Sequence, residues 1–96
     1  MARIMYIKSE KEIPLGEKFV LVRFGRVKMT LAHSHGITAI VRRDSGIPSQ
    51  RELRAFHSTV EDLKSVADRD GIPTLYVVEP HPNRDNSDLG RPSRVT

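Results

Sequence analysis

Apolar residues between positions 49 and 70 recur at steps of three and four, which is the spacing of one face of an α-helix. The stripe consists of Leu53, Phe56, Val60, Leu63 and Ala67. At its start, Ser49 and Glu52 have the spacing of a capping box, in which each side chain accepts a hydrogen bond from the other residue's backbone. At its end, Gly71 is the residue type that most often terminates a helix. The pattern predicts one amphipathic helix over 49–70, and its single stripe needs one apolar partner surface.

The chain before this helix has the composition and period-two alternation of β-strands. The predicted strands span 2–8, 18–24, 27–33 and 37–42. A charged connection over 10–17, interrupted by Pro14 and Gly16, separates the first strand from the second. After the helix, an apolar run over 72–79 predicts a last strand well inside the sheet. Pro73 suits the start of that strand, because proline cannot donate a hydrogen bond to a neighbouring strand.

The second and third predicted strands are joined by Gly25-Arg26, and a glycine in the first position suits the type II′ turn of a β-hairpin. In the register that this turn implies, the apolar face pairs Val20 with Leu31, Val22 with Met29 and Phe24 with Val27. The opposite face pairs Arg23 with Lys28, Leu21 with Thr30 and Phe19 with Ala32. A second turn at 34–36 leads into the strand over 37–42. We therefore predict a three-stranded antiparallel meander.

These elements together predict a single α+β domain over residues 1–79. Its sheet is expected to be mainly antiparallel, in the order β-β-β-β-α-β, with the amphipathic helix packed on one face. From Pro80 onward the composition changes to Pro, Asn, Asp, Ser, Gly and Arg, which predicts a flexible, disordered C-terminal tail over 80–96. A chain of 96 residues is long enough for one modest core.

The composition excludes several kinds of site. The chain has no cysteine, so it has no disulfide, thiolate nucleophile or cysteine-ligated metal. Its glycines are dispersed, so no phosphate-cradling glycine loop is predicted, and no pattern points to a cofactor. No apolar run approaches the roughly 20 residues of a spanning helix, and the N-terminus lacks a signal-peptide pattern, so we expect a cytoplasmic protein without membrane contact.

The formal net charge of +4 favours an anionic partner, and the basic residues are concentrated between Lys18 and Arg43, where no acidic residue occurs. The candidate nucleic-acid contacts are Arg23, Arg26, Lys28, Arg42 and Arg43. In the predicted hairpin, Arg23 and Lys28 share the face away from the core, so that a basic ribbon can follow phosphates. We therefore predict a small non-enzymatic binding protein. Three alternatives stay open: solvated charges that protect a sheet edge, a sheet edge or polar tail that recruits a protein partner, and a histidine-dependent phosphodiester or metal enzyme.

His33 and His35 form the chain's one closely spaced histidine pair. Two histidines two residues apart can ligate a metal from one side of a strand, or serve as acid and base in phosphodiester chemistry while an arginine holds the anion. The sequence offers no nearby third ligand before Asp44. Because His-Ser-His-Gly is also an ordinary polar turn, we assign no catalytic residue and no metal ligand.

Two short segments, 19–24 (Phe-Val-Leu-Val-Arg-Phe) and 71–74 (Gly-Ile-Pro-Thr), resemble parts of thioredoxin-like proteins. The resemblance implies a helix over 27–35 and a cis proline at Pro73. The paired cysteines of that family are absent, so no redox activity is implied, and residues 27–33 alternate with the period of a strand. We assign the chain to no family on these residues.

Overall fold

The computed structural model describes residues 1–44 and 46–78, and these residues form one α-helix and a five-stranded sheet. The strands are β1 (Arg3–Ile7), β2 (Phe19–Gly25), β3 (Met29–His33), β4 (Gly36–Arg42) and β5 (Thr74–Val78), and the helix is α1 (Gln50–Asp70). Every predicted strand and the predicted helix are present. The predicted tail over 80–96 lies outside the described residues. Within the described ranges, no helix has the length and apolar character needed to span a membrane.

The sheet is mixed, with the strand order β1-β5-β2-β4-β3. β1, β5, β2 and β4 run parallel to one another, and β3 is antiparallel to β4. The α+β class is confirmed, but the mainly antiparallel arrangement is wrong. The interior position predicted for the last strand is confirmed, since β5 lies between β1 and β2. Strands buried on both faces need nearly continuous apolar runs, and β2 and β5 have them.

The predicted hairpin at Gly25-Arg26 is wrong, because β4 lies between β2 and β3. Val20 is opposite Ile37 instead of Leu31, and none of the six predicted cross-strand pairs forms among the described strands. Gly25 ends β2 without the positive φ that a type II′ turn requires. β4 contains the continuous apolar run Ala39-Ile40-Val41, which the interior position buries, whereas β3 has no such run and is exposed throughout. A local turn signal was overridden by the larger apolar burial of a non-local pairing.

The second predicted turn is confirmed. His33 is opposite Gly36, which leaves Ser34 and His35 as a two-residue turn between β3 and β4. Residues 29–33 form a strand, and the helix that the thioredoxin-like resemblance implied is not present.

Both predicted helix ends are confirmed. Ser49 Oγ accepts a hydrogen bond from the Glu52 N–H at 3.1 Å, and Glu52 Oε1 accepts one from the Ser49 N–H at 2.8 Å. Gly71 terminates the helix in the left-handed conformation, with φ 72°. That conformation is accessible to glycine without the clash that a β-carbon would cause.

The helix packs over the predicted apolar face of β2, which carries Val20, Val22 and Phe24. The ring of Phe56 is fully buried and stacks on the ring of Phe24, with 4.4 Å between the centroids. The other residues assigned to this face are not in the core: Val27, Met29 and Leu31 are exposed. They were expected under the helix because β3 was expected beside β2. β4 takes that place instead, and Met29 and Leu31, opposite Ile40 and Thr38, lie on the face away from α1.

The opposite face of the sheet is covered by the connection between β1 and β2. This connection contains a 3₁₀-helix, Glu10–Glu12, and Ile13 packs with Ile7, Leu21 and Tyr76 in a second small core. A helix about 10 Å wide spans roughly two strands at a spacing of about 4.8 Å. Since α1 is centred on β2, it leaves β3 without a covering layer.

Candidate functional site

The parallel arrangement brings the carboxyl ends of β2 and β4 side by side. Gly25 is opposite Arg42 in the last register pair, and the Arg43 N–H donates a hydrogen bond to the Gly25 carbonyl at 2.9 Å. Arg26 follows β2 at this end, and the segment that leads to α1 follows β4. The carboxyl ends of parallel strands are the common place for ligands in open α/β sheets. We refer to Arg26, Lys28, Arg42 and Arg43 as the basic end.

Arg26 and Arg43 line one open depression together with Gly25, Asp44 and Gly46. Gly46 is exposed, and a β-carbon there would meet no atom within 4 Å, so the depression is open at this residue. Arg26 is exposed and makes no ion pair with any described residue. Its charge is therefore available to an anion from solvent.

Lys28 precedes β3 and lines a groove of about 790 Å³ between α1 and the outer strands. Its side chain is exposed and, like that of Arg26, has no ion-pair partner in the part of the chain that the structure describes. The groove wall next to it is formed by Thr30 and Ala39 from the sheet and by Ser58 and Thr59 from the helix. Lys28 thus adds a second unpaired cation on the helix side of the basic end.

The other two cations of the basic end have partners within the chain. Arg42 Nε lies 2.8 Å from Asp44 Oδ1, but both side chains are mostly exposed, and such pairs contribute little. The guanidinium carbon of Arg43 lies 5.4 Å from the centre of the Phe24 ring, within the range of a cation–π contact. This contact orients Arg43 at the end of the helix-covered core.

Arg23 was predicted as a further contact, and the structure places it differently. It lies opposite Ile40 on the face away from α1, and its Nε is 3.1 Å from Glu10 Oε1. One of its terminal nitrogens donates to the Phe24 carbonyl at 3.1 Å. The ion-pair geometry leaves the Nε without a hydrogen-bond acceptor. A carboxylate already balances this cation, so Arg23 stays outside the basic end.

The N-terminus of α1 also lies at this end of the sheet, but an internal carboxylate occupies it. Glu52 accepts hydrogen bonds from the N–H groups of Ser49 and Asp44, the latter at 2.9 Å. These hydrogen bonds hold the pKa of Glu52 below its ordinary value, the Ser49 bond contributing most. The N–H groups of Ser49 and Asp44 are therefore already engaged by a carboxylate of the chain. The sequence identified Glu52 as a cap, but its hydrogen bond to Asp44 depends on the folded loop.

The histidine pair lies at the other end of the sheet. His33 Nε2 is 3.0 Å from Thr38 Oγ1, and His33 Nδ1 accepts the His35 N–H at 3.3 Å. An accepting Nδ1 assigns the proton to Nε2, which then donates to Thr38. The His33 ring also lies 5.4 Å from the ring of Phe19. These contacts support the hairpin turn.

The histidines therefore do not lie near the basic end. β4 has seven residues and separates the two groups by roughly 20 Å along the strand. Among residues 1–44 and 46–78, no group of three or more His, Cys, Asp or Glu side chains is placed to hold a metal ion.

Aromatic side chains do not form a base-stacking platform next to the cations. Tyr76 is buried, and Phe19 lies at the amino end of β2. Tyr6 is exposed on β1, which is three strands away from β4. The arrangement can hold phosphates by charge, but it offers no exposed ring beside them for reading bases.

No protein-family model matches this chain, and searches of the curated proteins and of the solved structures found no match either. The site's geometry is thus the basis for a functional proposal.

Proposed function

We propose that this chain is a small non-enzymatic binding protein that contacts nucleic-acid phosphates through the basic end. The observation that carries the proposal is the pair Arg26 and Lys28. Both are exposed, both lack an ion pair with the described residues, and both flank the carboxyl end of β2. Arg42 and Arg43 follow the neighbouring strand and extend the same positive region.

The charge balance of this region supports an anionic partner. The basic end has four cations, and three carboxylates, Asp44, Glu52 and Asp62, line the same depression and groove. Glu52 is already engaged by backbone N–H groups. Guanidinium groups bind phosphate oxygens in bidentate geometry, and a surface open to solvent admits a continuous strand. We expect binding with little sequence preference, because contacts to phosphates carry no sequence information.

Titration of labelled single- and double-stranded oligonucleotides at several salt concentrations tests this proposal. Four phosphate contacts predict a slope of log K against log salt of about −3 to −4. The double variant Arg26→Ala/Lys28→Ala should remove roughly half of that slope and weaken binding to every sequence to a similar degree.

The matched control is Lys18→Ala/Arg69→Ala, which removes two positive charges near the opposite end of the sheet. The control should bind nearly as well as the unmodified chain. Absence of binding at low salt, or equal losses in the two double variants, would contradict the proposal.

A further inference from the structure

β3 is an exposed edge strand without the usual protection against pairing. All of its residues are exposed, and the segment Met29–His33 contains neither a charged residue nor a proline. Its register with β4 runs one-to-one from Met29–Ile40 to His33–Gly36, so no bulge interrupts it. Edge strands commonly use charges, prolines or bulges to prevent pairing with another chain.

The opposite edge of the sheet is better protected. Each edge strand has a lysine directly beside it, Lys8 for β1 and Lys28 for β3, but only β1 contains a cation within the strand, Arg3. The N–H of Ala2, just before the strand, is hydrogen bonded to Asp68 at the end of α1. Pairing at β1 would therefore bring cations against the incoming strand. β3 is the edge available for a neutral partner.

The backbone of β3 presents a defined set of hydrogen-bonding groups to solvent. In a two-residue hairpin the residues that close the turn form a hydrogen-bonded pair, and hydrogen-bonded pairs alternate along the strand. His33, Leu31 and Met29 therefore bond to β4. Thr30 and Ala32 direct their N–H and C=O groups outward, away from the sheet.

We propose that the partner of this edge is a second copy of the chain, paired antiparallel about a two-fold axis at Leu31. In this register Thr30 is opposite Ala32 of the second copy, so the outward backbone groups of both strands meet. Leu31 is opposite Leu31, and Met29 is opposite His33. The sheet then continues across the axis, and four backbone hydrogen bonds form that neither copy makes alone.

The side chains in this register are complementary. Met29 and Leu31, 42% and 44% exposed, lie on the same face as Ile40, so pairing extends an apolar surface across the axis. Lys28 falls opposite Ser34 of the second copy, and no like charges face each other across the strands. The strand is thus complementary to itself in backbone groups, apolar side chains and charge, which is why we assign the edge to self-association.

Self-association is independent of the proposed phosphate binding and has the opposite dependence on salt. Each copy carries a net charge of +4, so added salt screens their repulsion and should strengthen the dimer. Phosphate binding should weaken in the same salt series. A strand of five residues gives a small interface, so we expect a dimer that dissociates on dilution.

Sedimentation velocity over a concentration series, without nucleic acid, tests the proposal. The unmodified chain should shift from monomer to dimer as concentration rises. Leu31→Lys places two ammonium groups at the axis and should abolish the shift. Met5→Lys is the matched control, because it adds the same charge at an exposed apolar residue of the other edge strand. The control should dimerise as the unmodified chain does.

A cysteine variant tests the register directly, since the natural chain has no cysteine. The Cα atoms of a non-hydrogen-bonded antiparallel pair lie about 4.5 Å apart, which is within the range of Cα–Cα distances that a disulfide can bridge. Leu31→Cys should oxidise to a covalent dimer much faster than Met5→Cys. A monomer at every concentration, an unimpaired Leu31→Lys dimer, or equal cross-linking of the two cysteine variants would overturn the proposal.

Discussion

Gly36 lies directly against the backbone of Phe19, with no room for a side chain. A β-carbon on Gly36 would be 1.8 Å from the Phe19 carbonyl oxygen, and the φ of Gly36 is +143°. The two residues form the first register pair of β2 and β4, next to a hydrogen bond from the Phe19 N–H to the His35 carbonyl at 2.9 Å. The contact places β4 beside β2 and so positions the basic end.

Gly36→Ala should therefore destabilise the fold by about 3 kcal/mol or more, because the backbone of β2 cannot move aside without disturbing the core. Urea unfolding followed by circular dichroism measures this loss. Gly46→Ala is the control: a β-carbon at Gly46 has no atom within 4 Å, so its effect should be below about 1 kcal/mol. Equal effects of the two substitutions would show that β4 does not contact β2 at this point.

Phe56→Ala should be among the most destabilising substitutions in the helix. The ring is fully buried and stacks on Phe24, so its removal leaves a cavity and should cost about 3 to 5 kcal/mol. Arg54→Ala, at an exposed position of the same helix, should change the free energy of unfolding by less than about 0.5 kcal/mol. Thermal melts of both variants provide the comparison, and similar midpoints would contradict burial of Phe56.

Stability should fall in acid in part because of Glu52. Hydrogen bonds from the Ser49 and Asp44 N–H groups lower its pKa from the ordinary value of 4.5. The unfolded chain thus binds a proton at a higher pH than the folded chain does, and stability is lost as pH falls through the lowered pKa. The contribution of Glu52 to the free energy of unfolding should be constant above about pH 5 and decline below it.

The variant Glu52→Gln checks the origin of this decline, because a side-chain amide does not titrate. Its free energy of unfolding should be lower at neutral pH and should fall less steeply in acid. Some decline should persist, since the pKa of Asp68 is also lowered, chiefly by the hydrogen bond from the Ala2 N–H. Urea unfolding at a series of pH values gives both slopes, and identical slopes would rule out the capping carboxylate as a cause.

The Tyr76 hydroxyl should ionise at an unusually high pH. Its pKa is raised from 10 to about 12. Burial of the hydroxyl is the largest cause, and the hydrogen bond that the hydroxyl donates to Glu17 is the second. Because the folded chain holds this proton more tightly than the unfolded chain does, stability should fall as pH rises from 10 to about 12. The variant Tyr6→Phe leaves Tyr76 as the one tyrosine of the chain, so phenolate absorbance follows it alone.

The expected phenolate midpoint in that variant is about 12. Adding Glu17→Gln should lower the midpoint, since a neutral amide no longer opposes the phenolate charge. A midpoint near 10 in protein that circular dichroism shows to be folded would contradict the burial of the hydroxyl.

The set of candidate contacts was visible in the sequence, but their positions were not. The carboxylate-free stretch from Lys18 to Arg43 contains the four cations of the basic end, but it also contains Lys18 and Arg23, which lie elsewhere on the sheet. Their placement depends on partners far away in the chain, such as Glu10 for Arg23. The connection over 10–17 was predicted as a charged connection without contacts to the sheet being assigned, and the structure shows that Ile13 packs on the sheet.

Local signals in the sequence were sufficient for the helix, its two ends and the positions of the strands, because capping, periodicity and glycine conformation act within a few residues. Strand order was decided by the tertiary structure. A glycine beside Arg26 favours a hairpin locally, but pairing both edges of β4, with β2 and with β3, and burying its apolar centre stabilises the sheet more than that turn does. The same competition left β3 exposed at the edge and gathered the basic residues at the end of the parallel strands.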